Sequence, residues 1–293
     1  MCLVAFTLNL NPSWRLVLAA NRDEYFDRPT APLAWWPDSN IVGGRDLRAG
    51  GSWMAMSRSG RFAAVTNFRL GNAANAAVDP NAKSRGDLVL GMLKGDSVSR
   101  PSDLTMDGAI TSDNAIVKNL AQVGPCNLLW GDLRSGAMHF SSNQSNDLSD
   151  NLTDNTSDHS ASSLQNGLVY GLSNGKLDAD WPKTSGLKTS LAQAIKSHQS
   201  DDRGLTACLF DALADDTQAP DAHLPTTGVS LEFERILSAR FIATPTYGTR
   251  SSTVILVDDQ HNATMIERTW DHTALASGKP APYTERMVRF QIN

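Results

Sequence analysis

The sequence predicts an α+β protein of mainly antiparallel sheets with helices packed on them. Three observations carry that expectation. Apolar runs come in pairs across short polar turns, as hairpins require. Segments with helical spacing lie between those pairs. The chain has 293 residues, 41% of them hydrophobic, which is enough to bury a large core.

The first pair is Cys2 to Leu8 and Arg15 to Ala20, joined through the turn chemistry of Asn11-Pro12-Ser13. Trp53 to Ser57 and Phe62 to Phe68 flank Arg58-Ser59-Gly60, and Asn127 to Asp132 and Ala137 to Phe140 flank Arg134-Ser135-Gly136. Ser251 to Val257 and Ala263 to Arg268 flank the polar run from Asp258 to Asn262. Helical spacing follows Ser84 in Leu88, Val89, Met92 and Leu93, and follows Thr184 and Ser185 in Leu187, Leu191 and Ile195. Leu205, Cys208, Leu209, Ala212 and Leu213 trace a third apolar face, so Cys208 is expected in the core, and Leu231 to Leu237 forms a short fourth helix. Gly43-Gly44 and Gly50-Gly51 match no phosphate-binding fingerprint and are expected to permit turns or close backbone approach.

Residues 141–166 are almost entirely polar and cannot bury enough apolar surface to offset the entropy of ordering. They read as a mobile loop insertion. Because the apolar pattern resumes at Gly167, a single domain over residues 1–293 is expected.

Composition narrows the function. A formal net charge of -5 with both signs interspersed leaves no basic stripe for nucleic acid. The start has no signal-peptide pattern, and no window reaches the roughly 18 apolar residues of a membrane span, so a cytoplasmic protein is expected. Cys2, Cys126 and Cys208 are too few and too far apart for a disulfide framework, and the six histidines form no metal-spaced pair. No metal ion or nucleotide is implied.

Two features carry chemistry. Asn21-Arg22-Asp23-Glu24 follows the second apolar run, either as a solvated turn with internal ion pairs or as the rim of a site. Pairing of the first hairpin brings this cluster near Cys2. Cys2 itself reads as a small buried hydrophobe or as a nucleophile. In the second reading, removal of Met1 exposes the α-amine of Cys2 as a base for its own thiol. Such chemistry needs oxyanion donors and charges, and Asn67, Asn127, Asn174, Arg22 and Asp23 are suitable types.

Met1-Cys2 together with Asn21-Arg22-Asp23-Glu24 resembles the NRDE family, also called the transport and Golgi organisation protein 2-like proteins. Further matches are Gly50-Gly51-Ser52-Trp53, Thr66 to Arg69, Ser84 to Val89, Asn127-Leu128-Leu129, Tyr170 to Asn174, Trp181-Pro182-Lys183 and Tyr247 to Ser252. That resemblance implies a four-layer α-β-β-α sandwich like that of N-terminal-nucleophile hydrolases. It implies Cys2 as nucleophile, Arg22 and Asp23 beside it, Asn67 and Asn174 as oxyanion or amine contacts, and Arg250 as a supporting charge. It also implies haem binding and trafficking, with a small apolar ligand such as haem, or an acyl compound, held near Cys2, Asn21, Arg22, Asp23 and Glu24. Haem would then be cargo in a cytoplasmic carrier, and cysteine amide or thioester hydrolysis is the alternative.

Overall fold

The N-terminal hairpin, β1 (Cys2–Asn11) and β2 (Trp14–Tyr25), sets the register of everything around it. Cys2 pairs with Arg22, Val4 with Ala20 and Phe6 with Leu18. Side chains alternate across a strand, so one face of the hairpin carries Val4, Phe6, Leu16, Leu18 and Ala20, while the other carries Leu3, Ala5, Val17 and Ala19. Both faces are buried. That is why the two runs read as nearly continuous apolar sequence rather than as alternation.

The computed structural model describes residues 2–37, 39–69, 82–93, 119–144, 161–273 and 282–293. One antiparallel sheet adds β10 (Val169–Leu172), β11 (Tyr247–Asp258), β12 (Asn262–Trp270) and β13 (Tyr283–Gln291), in the order β10-β1-β2-β11-β12-β13. The second holds β3 (Thr30–Trp35), β4 (Ile41–Asp46), β5 (Met54–Ser57), β6 (Arg61–Asn67), β7 (Cys126–Asp132), β8 (Ala137–Ser142) and β9 (Ser162–Ser163), paired in sequence order. Phe6, Leu18, Met54, Phe62, Leu129 and Ile255 fill the space between the sheets. On the outer face of the first sheet lie α2 (Pro182–Ser197) and α3 (Asp202–Leu213), and α1 (Arg85–Leu93) covers the second. The short α4 (Leu231–Ser238) packs with Ile242 and Tyr247 at the end of the first sheet. The layers therefore run helix, sheet, sheet, helix, and the protein is α+β. Among the described residues no helix is long and apolar enough to cross a membrane.

The predicted hairpins and all four predicted helices are present. Gly60 and Gly136 hold φ of +89° and +72° in their turns, where a side chain would be strained. Five strands carried too little signal to be anticipated, β9 within the polar stretch among them. Pro32 interrupts β3, and Gly43-Gly44 occupies β4, where a Cβ on Gly43 would lie 2.8 Å from Ala55 Cβ. The four-residue β10 is short, and β13 is an edge strand exposed along most of its length. Of the polar stretch 141–166, Ser141 and Ser142 end β8 and Ser162–Ser163 pairs back onto it. Residues 145–160 lie outside the described residues.

Two expectations require correction. Asn21 to Glu24 do not follow the second strand but belong to it, because β11 supplies a ladder on the far side, with Asp23 opposite Thr249 and Glu24 opposite Gly248. Cys208 is exposed and not in the core. The buried face of α3 is Leu205, Leu209, Phe210 and Leu213, and Phe210 completes the stripe in place of Cys208.

Candidate active site

At the end of the hairpin the inter-sheet face changes from apolar to charged. Cys2 and Arg22 are paired across the ladder and so project to the same face as Val4 and Ala20. That face opens into a cavity of about 630 Å³, whose walls include Cys2, Arg22, Asp23, Glu24, Arg28, Asp46, Asn67 and Arg85. Trp53 and Val65 contribute its apolar part. Cys2 is 6% exposed, and burial pushes its thiol up to about 11. A neutral thiol is therefore the resting state, and ionisation needs a neighbouring base.

Arg22 is held in place by Thr30, whose Oγ1 accepts from Nη1 at 3.2 Å, with Asp46 and Glu24 carboxylates 3.8 and 3.9 Å from Nη2. Asp46 is the hub of this wall. Its Oδ2 accepts from Arg28 at 2.6 Å, and its Oδ1 accepts from the amides of Arg48 and Ala49. Burial alone would raise its pKa, but the Ala49 amide, Arg28 and the Arg48 amide hold the carboxyl below its ordinary range. Another part of the wall is Ser84, Arg85 and Gly86 at the start of α1, where the Gly86 backbone meets Gly51 and Ser52. A Cβ on Gly51 would lie 2.6 Å from the Gly86 carbonyl carbon, so two backbones touch with no room for a side chain. Gly51→Ala is expected to cost about 1–3 kcal/mol, as overpacking does. A urea titration checks this: an unchanged midpoint would show that the contact yields freely.

Asn21 projects to the opposite, helix-facing side of the sheet, whereas Asp23, nearer the strand end, still borders the cavity. Thr249 Oγ1 donates to Asp23 Oδ1 at 2.8 Å, and burial raises the Asp23 carboxyl above its usual range. Lys183, in the first turn of α2, is the cation nearest to it in effect, being the largest influence that opposes that rise. Lys183 is 4% exposed, its Nζ has no hydrogen-bond partner among the described residues, and burial lowers its pKa to about 8. The carboxylate of Asp23 and the thiol of Cys2 both act on it electrostatically.

Cys2, Arg22, Asp23, Glu24 and Asn67 all line the cavity. Asn174 lies behind it: its Nδ2 donates to the Asn67 carbonyl at 2.9 Å, while the adjacent Ser173 Oγ donates to the Cys2 carbonyl at 2.9 Å. Both residues therefore brace the strand ends that carry the site. Asn127 is a similar brace, donating to Thr66 Oγ1 and the Gly175 carbonyl. Asn21 is turned away from the cavity, with its amide donating to the Leu213 and Arg240 carbonyls and accepting from Ser252 Oγ. Arg250 donates to the Tyr25 and Phe26 carbonyls and secures the turn after β2. Sequence reasoning missed Arg28, Asp46, Arg85 and Lys183. Lys183 had a usable signal, since a lysine directly after the proline that opens a helix places positive charge against the helix dipole. Cys126 is fully buried, and burial pushes its thiol up to about 12, in keeping with a structural role. Among the described residues no group of side chains could hold a metal ion.

The fold and the site define a class: an α-β-β-α sandwich whose first strand delivers a cysteine into a charged cleft between its sheets. The chain belongs to the Transport and Golgi organisation 2 family, whose model matches residues 1–272. The Transport and Golgi organization protein 2 homologs of Bos taurus and Homo sapiens are each 30% identical to it, with 92% of both chains covered. The Drosophila melanogaster protein of that name is 27% identical over the same share. Among solved structures, a C2A mutant of conjugated bile acid hydrolase from Clostridium perfringens aligns over 100% of this chain and 97% of its own, with TM-score 0.42 and 8% identity. A Caenorhabditis elegans ortholog of N-acylethanolamine-hydrolyzing acid amidase aligns over 87% and 92%, with TM-score 0.40 and 9% identity. Neither likeness bears on chemistry at those values.

Proposed function

We propose that the protein is a cysteine hydrolase of amide or thioester bonds, with Cys2 as nucleophile once Met1 has been removed. The observation that carries this reading is the position of the thiol, buried at the first residue of a central strand and facing a charged cavity large enough for a small-molecule acyl substrate. A cysteine serving only as packing would gain nothing from the polar walls.

In this reading the α-amine of Cys2 accepts the thiol proton as Sγ attacks the carbonyl carbon. Concerted transfer matters because burial disfavours a free thiolate. The Asn67 amide at the rim and the Arg22 guanidinium are the donors available to the developing oxyanion. Collapse expels the amine or thiol leaving group, which takes the proton, and water then hydrolyses the acyl-enzyme. Asp23 and Lys183 flank the same strand end, where the carboxyl group of Asp23 orients the α-amine and the lysine opposes the rise that burial imposes on that carboxyl. The test is hydrolysis of S-phenyl thioesters and p-nitroanilides of graded acyl length. Saturable turnover supports the reading, and no turnover across both series opposes it.

The haem reading implied by the resemblance has one observation in its favour: Cys2 and Tyr25 border a cavity that also holds Arg22, Arg28 and Arg85, which complement carboxylate groups. It ranks second because the walls are charged where a macrocycle needs apolar slabs, and the thiol rests protonated. Titration with haem is expected to give a linear absorbance response, identical in Cys2→Ala. A saturable shift lost in that variant would reverse the ranking.

A further inference from the structure

Cys208, displaced from the core, does not stand alone on the surface. Its Sγ lies 3.4 Å from His198 Nε2, and His198 Nδ1 lies 3.1 Å from Asp201 Oδ2. The order of the contacts fixes the chemistry. A carboxylate only accepts hydrogen bonds, so Asp201 places the ring proton on Nδ1 and leaves the Nε2 lone pair facing the thiol. The three residues thus form a thiol, a base and a group that orients the base.

Helix capping accounts for only part of this arrangement. Asp201 is the N-cap of α3, and its Oδ1 accepts from the Gly204 amide at 3.0 Å. His198 ends α2 and donates its backbone N–H to the Ala194 carbonyl. Neither cap requires Asp201 Oδ2 to hold the ring, nor the ring to meet Sγ. Gly204 is a further sign. Glycine costs about 1 kcal/mol inside a helix, yet any side chain there would collide with both Asp201 Oδ2 and His198 Nδ1. The helix gives up propensity at the one position where a side chain would push the carboxylate off the imidazole. Both helix ends are anchored by buried residues, Ala194 and Ile195 on one side and Leu205 on the other, so the cluster sits on rigid elements.

We propose that Cys208 is a reactive surface thiol, activated by His198 and Asp201, and a site of reversible modification by low-molecular-weight disulfides. The thiol proton passes to His198 Nε2 as Sγ attacks one sulfur of a disulfide RSSR. An Sγ–SR bond forms, the original S–S bond breaks, and the departing RS⁻ takes the proton from His198. Cys208 is oxidised to a mixed disulfide and one half of RSSR is reduced to RSH. This cluster is separate from the Cys2 cavity, and neither Cys208 nor His198 lines that cavity.

The experiment incubates the full chain with oxidised glutathione, and separately with iodoacetamide, and follows each cysteine-containing peptide by mass. Cys208 is expected to be modified at least tenfold faster than the same cysteine in the urea-unfolded chain. His198→Gln is expected to slow it by at least tenfold, toward the rate of the unfolded chain, because the positioned base is lost. Asp201→Asn separates orientation from capping, because asparagine also caps helices but carries no charge; it is expected to slow modification while circular dichroism stays unchanged. Folded Cys208 reacting no faster than the unfolded control, or at the same rate with His198→Gln, would overturn the proposal.

Discussion

Cys2→Ala is expected to leave a folded chain whose hydrolysis of S-phenyl thioesters is reduced by on the order of a thousandfold, because removing a covalent nucleophile leaves only binding and oxyanion stabilisation. The fold should tolerate the change. Only Sγ is lost, and the backbone anchors on either side, the pairing with Arg22 and the Ser173 bond to the Cys2 carbonyl, do not involve the side chain. Thermal denaturation and turnover measured on the same preparation separate the two effects. A variant that keeps wild-type turnover would remove Cys2 from the chemistry and with it the reading of the cavity. Alkylation is a poorer probe than the exposed site suggests, since Cys208 is exposed while Cys2 is buried and protonated at rest. Labelling of Cys2 should therefore be followed in a Cys208→Ser background.

Lys183→Met is expected to flatten a rise in stability with pH. The sign follows from the direction of the shift. Lys183 titrates near 8 in the folded chain against an ordinary value of 10.5, so between those values the unfolded chain binds the extra proton and stability increases with pH. Below the folded value the cost of keeping the amine charged is on the order of 3 kcal/mol, as follows from the drop from 10.5 to about 8. Cys2 and Cys126 act in the other direction above pH 9, because burial raises both thiols and the unfolded chain ionises first. The lysine contribution is thus cleanest between pH 8 and 9 and is read as the difference between wild type and Lys183→Met in urea midpoints. Equal slopes in that window would show that the amine is not held in a depressed state. The same substitution should lower turnover, because Asp23 then loses the charge that opposes its protonation.

Much of the architecture was legible because hairpins declare themselves locally. Gly60 and Gly136 sit at positive φ between strands whose apolar residues are contiguous in sequence. β3, β4 and β13 were not legible, since their pairing partners supply the reason for their extended form. Asn21 to Glu24 illustrate the same limit within the site. Four polar residues in a row resemble a surface turn until β11 pairs with them and divides them between two faces, Arg22 with Cys2 and Asn21 with the helices. The Cys2–Arg22 juxtaposition followed from hairpin register alone. The contributions of Asp46, Arg85 and Lys183 did not, because each arrives from a distant element. Cys208 failed for a different reason: Cys208 and Phe210 both lie near the apolar stripe of α3, and only packing decides which one turns inward.

The most direct measurement is the intact mass and peptide map of Cys208→Ser protein quenched during turnover of an S-phenyl thioester. A chain lighter by one methionine residue, carrying one acyl group on the peptide that begins at Cys2, is the expected result. A chain that hydrolyses the thioester while retaining Met1, or that carries the acyl group elsewhere, would contradict the assignment of Cys2 as an N-terminal nucleophile.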